Sequence, residues 1–354
     1  MLQMGIEFVP DRSIKQIIEM SKLAEEVGFD HIWITDHYNN RNLWVTVTAI
    51  ALNTERVIIG PGVTNPYHTS PALSAAAIVT VNEISGGRAA IGLGAGDKIT
   101  LDDLGIKWTK PVTTVLEGIR IIRELTQGER VSFNGNVFQI KGAKLTHVKK
   151  KPVVQDDGSI LVVNGKEVKQ APKIPIYAGV QGPEMLERTA EIVDGLLINA
   201  SHPRDFDEAM KRIKIGVERS QRDIREIDIG AYTAFSIAPT LEEAKGGDLK
   251  LVVGFIVAGS PKIVLDRHGL DSDKCQEVTD TLAQGRMNDL DKVVTDEMID
   301  AFAVVGNTRQ CLDRIEDLVK TGVTQLIVGS PIGPDKIEAI KQIGREIIPN
   351  ISEF

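Results

Sequence analysis

His31-Ile32-Trp33-Ile34-Thr35, followed at once by Asp36-His37, is a short apolar and β-branched run that ends on a carboxylate and an imidazole. Such a run reads as a strand, and the polar pair falls just beyond its C-terminal end. Working outward, residues 14–27 have helical spacing, with Ser13 placed as an N-cap and Gly28 as a left-handed C-cap. Before them residues 5–9 form another strand, and the strand-helix unit then recurs along the chain. Strands are expected at 5–9, 31–35, 57–63, 89–93, 174–178, 195–198, 227–236 and 325–328. Alternating β and α units feed a parallel sheet, and eight is the number that closes one into a barrel. The expected fold class is therefore α/β, a (β/α)8 TIM barrel, formed as one domain over residues 1–354.

Two stretches break the alternation. Residues near 130–172 read as a β-meander insertion, because Asn134-Gly135, Asp157-Gly158 and Asn164-Gly165 are all hairpin turn pairs flanked by apolar residues. Residues near 259–300 read as a mostly polar helical insertion before the last unit. Pro183, Pro203 and Pro334 stand where first-turn prolines are tolerated.

Composition narrows the function classes. The chain has 354 residues, 42% of them hydrophobic and 25% charged, which suits a globular protein with a large core. A net charge of -8 argues against nucleic acid as a partner, and Lys149–Lys151 is too short a basic run to change that. Cys275 and Cys311 stand far apart, without metal-ligand spacing or a disulfide framework, so a reducing compartment is expected. No signal-peptide pattern is seen, and the apolar stretches at 72–81 and 251–259 are too short to span a bilayer. The expectation is a cytoplasmic protein with no membrane partner.

In a (β/α)8 barrel the active site lies at the C-terminal ends of the strands. Those positions hold Glu7, Asp36-His37, Thr64-Asn65, Gly94-Ala95-Gly96-Asp97, Gly179-Val180-Gln181-Gly182-Pro183, Asn199 and Gly329-Ser330-Pro331. Carboxylates, an imidazole and amides thus converge on one mouth, either as a network that seals the barrel top or as a reacting cluster. The glycine-rich turn at 179–183 opens a helix, so it either only redirects the chain or offers N–H groups and a positive helix end to a phosphate.

Five segments carry a family resemblance: Gly5-Ile6-Glu7-Phe8-Val9-Pro10, Trp33-Ile34-Thr35-Asp36-His37-Tyr38, Gly60-Pro61-Gly62-Val63-Thr64-Asn65-Pro66, Gly94-Ala95-Gly96-Asp97-Lys98 and Gly329-Ser330-Pro331-Ile332-Gly333-Pro334. The chain resembles the bacterial-luciferase-like superfamily over nearly its whole length, specifically its methylenetetrahydromethanopterin reductase branch. The meander departs from that pattern, since its 151–170 part exceeds what the family leads one to expect.

The resemblance implies coenzyme F420, a deazaflavin, as cofactor, and reversible hydride transfer between its reduced form and methylenetetrahydromethanopterin to give methyl-tetrahydromethanopterin. It implies no metal, and a homodimer or homotetramer. It places a non-prolyl cis peptide at Gly62-Val63, a bulge that backs the deazaflavin ring. The catalytic candidates it yields are Glu7 as proton donor, with burial beside Asp97 raising its pKa, and Asp97 and His37 beside it. The cofactor-binding candidates are Asp36, His37, Gly62, Val63, Thr64 and Asn65 around the ring, and Gly179, Val180, Gln181 and Gly182 at the phosphate. The rival readings are another luciferase-like oxidoreductase, using F420 on an alcohol or FMN with oxygen, and a non-catalytic flavin-binding relative.

Overall fold

Alternate residues along each strand meet two different environments, and this sorting builds the fold. The computed structural model describes residues 2–351, apart from Asp156 and Gly165 and the side chain of Ile99. Its strands are β1 (Gln3–Phe8), β2 (His31–Ile34), β3 (Ile58–Pro61), β4 (Ile91–Leu93), β5 (Ile176–Val180), β6 (Gly195–Asn199), β7 (Asp228–Ile237) and β8 (Gln325–Ile332). They pair in parallel in the order β3-β2-β1-β8-β7-β6-β5-β4. Bridges at Ile59–Ala89 and Thr64–Leu93 close the remaining seam between β3 and β4, completing an eight-strand barrel.

In β2, Ile32 and Ile34 point outward into the main apolar core beneath the helices, whereas Trp33 points inward to pack with Ala90, Tyr177, Leu197 and Ile327. A run buried on both faces is what a parallel sheet requires, which is why this strand is continuously apolar. The N-terminal floor of the barrel also carries a polar lattice. Trp33 Nε1 donates to Gln325 Oε1 at 3.0 Å, and Gln325 Nε2 donates to Asp228 Oδ2 at 2.9 Å. The same Asp228 oxygen accepts from the Tyr177 hydroxyl at 3.0 Å, and its other oxygen accepts from Thr324.

The helix Ile14–Val27 has the expected ends: Ser13 and Gln16 form a reciprocal capping box, and Gly28 takes φ 111° beyond the last turn. Pro183 and Pro203 occupy first helical turns. Pro334 does not, because Asp335 is the cap of the last long helix, its carboxylate accepting from the Ile337 and Glu338 N–H groups.

The two stretches that break the alternation hold hairpins and helices whose details differ from the sequence reading. The hairpin Val131–Asn134 and Gln139–Ala143 is joined by four residues instead of a two-residue Asn-Gly turn. The cause is Glu117, whose carboxylate accepts the N–H groups of Asn136, Val137 and Phe138 at 2.6, 3.0 and 3.0 Å. A Cβ on Gly135 would lie 2.3 Å from that carboxylate, so the glycine serves close approach. At the second expected turn Gly158 has φ 81°, and at the third Asn164 has φ 51°, while Gly165 lies outside the described residues.

The helical insertion begins earlier than 259, with Leu241–Ala244 and Leu249–Gly259. Leu249, Val253 and Val257 face a satellite core shared with Leu290, Met298 and Phe302, so this apolar stretch is a buried helix. A short strand at Ala303–Gly306, absent from the sequence reading, pairs with the end of β7. Among the described residues no helix is long and apolar enough to cross a membrane.

Candidate active site at the mouth of the barrel

Strand β1 carries Glu7 inward at the C-terminal mouth, where it is only 8% exposed. Burial pushes its carboxyl up to about 7, against the opposing pull of the Ser330 backbone N–H and the charge of Lys336. The Ser330 hydroxyl adds only a long contact, 3.5 Å from Glu7 Oε1. A Cβ at Gly329 would come 2.8 Å from Glu7 Oε2, so β8 is bare backbone beside the acid.

Across β8 from Glu7 stands Tyr232 of β7. Its hydroxyl donates to the Gly62 carbonyl at 2.8 Å. Burial, and then the nearby charge of Glu7, hold its phenol well above the usual range. Gly62-Val63 is a cis peptide, as the resemblance implied. The Val63 side chain beyond it is seated in a cradle of glycines. A Cβ built on Gly94, Gly92 or Gly179 would lie 2.6, 2.9 or 3.0 Å from a Val63 methyl. Gly94 and Gly179 therefore have a packing reason to be glycine, beyond the turn geometry read from the sequence.

Asp36, Thr64 and Asn65 come together with a residue that the sequence reading missed. Thr64 Oγ1 donates to Asp36 Oδ2 at 2.6 Å, and His68 Nε2 lies 3.3 Å from the same oxygen. Asn65, itself buried, accepts the N–H groups of Tyr67 and His68 at 3.1 and 3.2 Å, which brings His68 back over Asp36.

Two candidates are not drawn into this group. The Asp97 side chain is exposed and accepts from the Thr100 N–H at 2.8 Å and the Thr100 hydroxyl at 2.6 Å, which caps the short helix Lys98–Asp103. The expectation that Asp97 helps to raise the Glu7 pKa is thus corrected: desolvation by the barrel wall does it. His37 is also exposed, and its carbonyl accepts from the Asn40 N–H at 3.1 Å in the turn after β2.

At the expected phosphate loop, Gly179 and Val180 end β5, and Gln181 and Gly182 are exposed. Gly182 caps the helix Pro183–Ala190 with no side-chain bond, which leaves the first N–H groups of that helix directed outward. Ser330, Tyr232 and Lys336 join His68 as mouth residues that were not assigned from the sequence. Tyr232 was findable: it lies an even number of residues from Asp228 on one strand and so shares the inward face. His68 sits in a loop and gave no signal.

The mouth combines three features. It has a side-chain-free glycine wall behind Val63, a buried carboxyl able to carry a proton near neutrality, and an uncapped helix end beyond. A (β/α)8 barrel with these features, bearing both insertions, is an oxidoreductase scaffold of the luciferase type. The sequence pattern of the luciferase-like monooxygenase family matches residues 4–325, and the chain belongs to that family.

Within it, the chain is 47% identical to the 5,10-methylenetetrahydromethanopterin reductase of Archaeoglobus fulgidus, over 99% of this chain and 100% of that one. It is 45% identical to the enzyme of the same name from Methanolobus tindarius, over 97% of this chain and 99% of that one. The structure of the coenzyme F420 dependent tetrahydromethanopterin reductase of Methanopyrus kandleri superposes with a TM-score of 0.88 at 38% identity, covering 98% of this chain and 99% of that one. An F420-dependent secondary alcohol dehydrogenase shares the fold, with a TM-score of 0.77 at 20% identity over 98% of both chains.

Proposed function

We propose that this chain is an F420-dependent 5,10-methylenetetrahydromethanopterin reductase. The observation that carries the reading is the 47% identity over the full length of both chains to a reductase of that name, with a second at 45%. Reduced F420, when bound, supplies a hydride from its ring carbon. The methylene bridge between two nitrogens accepts it once one nitrogen is protonated and leaves, so the pterin takes up one hydride and one proton while the oxidised deazaflavin gives up an N–H proton, and the overall reaction is proton-neutral.

The proton is the task of the protein, and Glu7 is suited to it. Held neutral to about pH 7 by burial, it can donate to a bridging nitrogen and, in the reverse direction, take the proton back. Ser330 steadies the carboxylate that is left behind, through its N–H. Val63, backed by its glycine cradle and by the Tyr232 bond to the Gly62 carbonyl, would supply the wall for the ring. Asp36, Thr64, Asn65 and the exposed His37 would hold the ring, and the N–H groups of Gly179–Gly182 would receive its phosphate. Asp97, as a helix cap, orders the loop after β4 and leaves the proton to Glu7.

The test is an anaerobic assay of the purified chain with methyl-tetrahydromethanopterin and oxidised F420, in which the deazaflavin absorbance should bleach in proportion to enzyme. FMN in place of F420 should give no turnover. Oxygen consumption with reduced FMN, or no bleaching with F420, would overturn the reading.

A further inference from the structure

The two insertions have opposite charge and stand at opposite ends of the barrel. Residues 141–173 carry eight lysines against three acids, within a chain whose net charge is -8. Residues 259–300 carry ten acids against five basic residues. On the helix Ser272–Ala283, Asp273, Glu277 and Asp280 follow i, i+4, i+7 spacing and are all exposed, forming one acidic stripe.

The lysine-rich segment hangs from the N-terminal end of the barrel. Val148 lies 3.0 Å from where a Gly128 Cβ would be, and Lys149 pairs with Glu83 at the foot of the helix Pro71–Ile84 at 3.5 Å. The acidic helices follow the C-terminal end of β7, at the other rim. The arm of a protomer is thus turned away from that protomer's own acidic stripe.

The arm has a second property that calls for a cover. Among the described residues from 149 to 170, only Val153, Leu161 and Val168 are even half-buried, and they are joined to one another by backbone bonds of 2.8–2.9 Å. Val154, Val162 and Val163 are 63, 55 and 52% exposed. A ribbon this small, wet on both faces and bearing apolar side chains, is marginal by itself. The acidic insertion offers matching apolar residues, with Ile263 71% and Phe255 55% exposed.

We propose that the arm of one protomer docks on the acidic helical insertion of a second copy of this chain. Lys151, Lys166 and Lys169 meet the Asp273-Glu277-Asp280 stripe, and the arm valines cover the exposed apolar residues of the same insertion. The occupant is a second copy because the complementary charge is carried on this chain itself. Exchange in both directions about a twofold axis gives each arm a partner and closes the assembly.

The test measures the mass of the full-length protein by light scattering across protein concentrations, at low salt and at 1 M salt, for the native chain and three variants. The first carries Lys151→Glu, Lys166→Glu and Lys169→Glu; the second carries Asp273→Lys, Glu277→Lys and Asp280→Lys; the third carries both sets. Circular dichroism reports whether each variant is folded. We expect the two single sets to lower the assembly by one step, with association weakened on the order of tenfold or more. The doubly reversed chain, and an equal mixture of the first two variants, should restore assembly, and high salt should weaken the native contact. A native chain that is monomeric at micromolar concentration, or folded single-set variants that keep the native mass, would overturn the proposal.

Discussion

Two carboxyls on inward-facing strand positions divide the barrel into a floor and a mouth. Asp228 at the floor accepts hydrogen bonds from Tyr177, Gln325 and Thr324, so both of its oxygens are engaged. Glu7 at the mouth has the Ser330 N–H and a hydroxyl at 3.5 Å. Close by in sequence to the Glu7–β2 pairing, the buried hydroxyl of Thr35 finds no partner among the described residues. The same eight strands thus build one end in which polar groups are satisfied by the protein and another in which they are left partly unmet. Satisfied buried groups stabilise a structure, while under-satisfied ones are where a ligand or a proton has work to do. Conserving the fold and performing the reaction are separate tasks assigned to opposite ends of the same strands.

Altering the mouth acid should cost turnover and spare the fold. Glu7→Gln should lower turnover by about 10²–10⁴, the usual worth of a positioned general acid, while F420 affinity measured by titration stays near native. Its stability should move the other way. The folded chain keeps the Glu7 proton to about pH 7 whereas the unfolded chain releases it near 4.5, so the contribution of this group to stability falls as pH rises between those values. The variant lacks that penalty, and its denaturation midpoint should exceed the native one above pH 7, by on the order of 2–4 kcal/mol in free energy. Loss of stability at pH 8 would place Glu7 among structural groups.

At the floor the pattern should reverse. Asp228→Ala removes the acceptor shared by the Tyr177, Gln325 and Thr324 donors and should cost about 3–5 kcal/mol of unfolding free energy, with turnover per folded molecule within about threefold of native. A loss of turnover as large as that of Glu7→Gln would erase the division between the ends.

Tyr232 reaches from the floor side to the mouth and should show an intermediate effect. Tyr232→Phe removes one hydrogen bond, to the Gly62 carbonyl, and should cost about 0.5–1.5 kcal/mol in chemical denaturation. The smallest effect is expected from Ser330→Ala, which removes the 3.5 Å hydroxyl and keeps the N–H. Its kinetic pKa should rise by less than one unit, with turnover within about threefold.

Much of this division can be read in the sequence, though unevenly. Strand periodicity located all eight barrel strands, because a parallel strand buried on both faces must be apolar over its whole length. The residues just after the strands located Glu7, Asp36, Thr64 and Asn65, because chain order and strand polarity fix which end they reach. Distances across the barrel could not be read in this way. Asp97 and Glu7 belong to strands on either side of the β3–β4 seam, and nothing local reveals that the Asp97 carboxylate turns back to cap the Lys98–Asp103 helix. Ser330 was quoted in a motif without a role, since its N–H acts through tertiary contact. The helical insertion was placed too late because Leu249, Val253 and Val257 are apolar for a satellite core that forms only after the chain has returned through Met298 and Phe302.

The most direct test follows turnover against pH in both directions with one enzyme preparation. With Glu7 as proton donor and acceptor, reduction of the methylene pterin should fall as pH rises through about 7. Oxidation of the methyl pterin should fall as pH drops through the same value. In Glu7→Gln both limbs should vanish from the residual rate. A limb near 7 that persists in that variant, or two directions that share the same limb, would show that the proton comes from elsewhere.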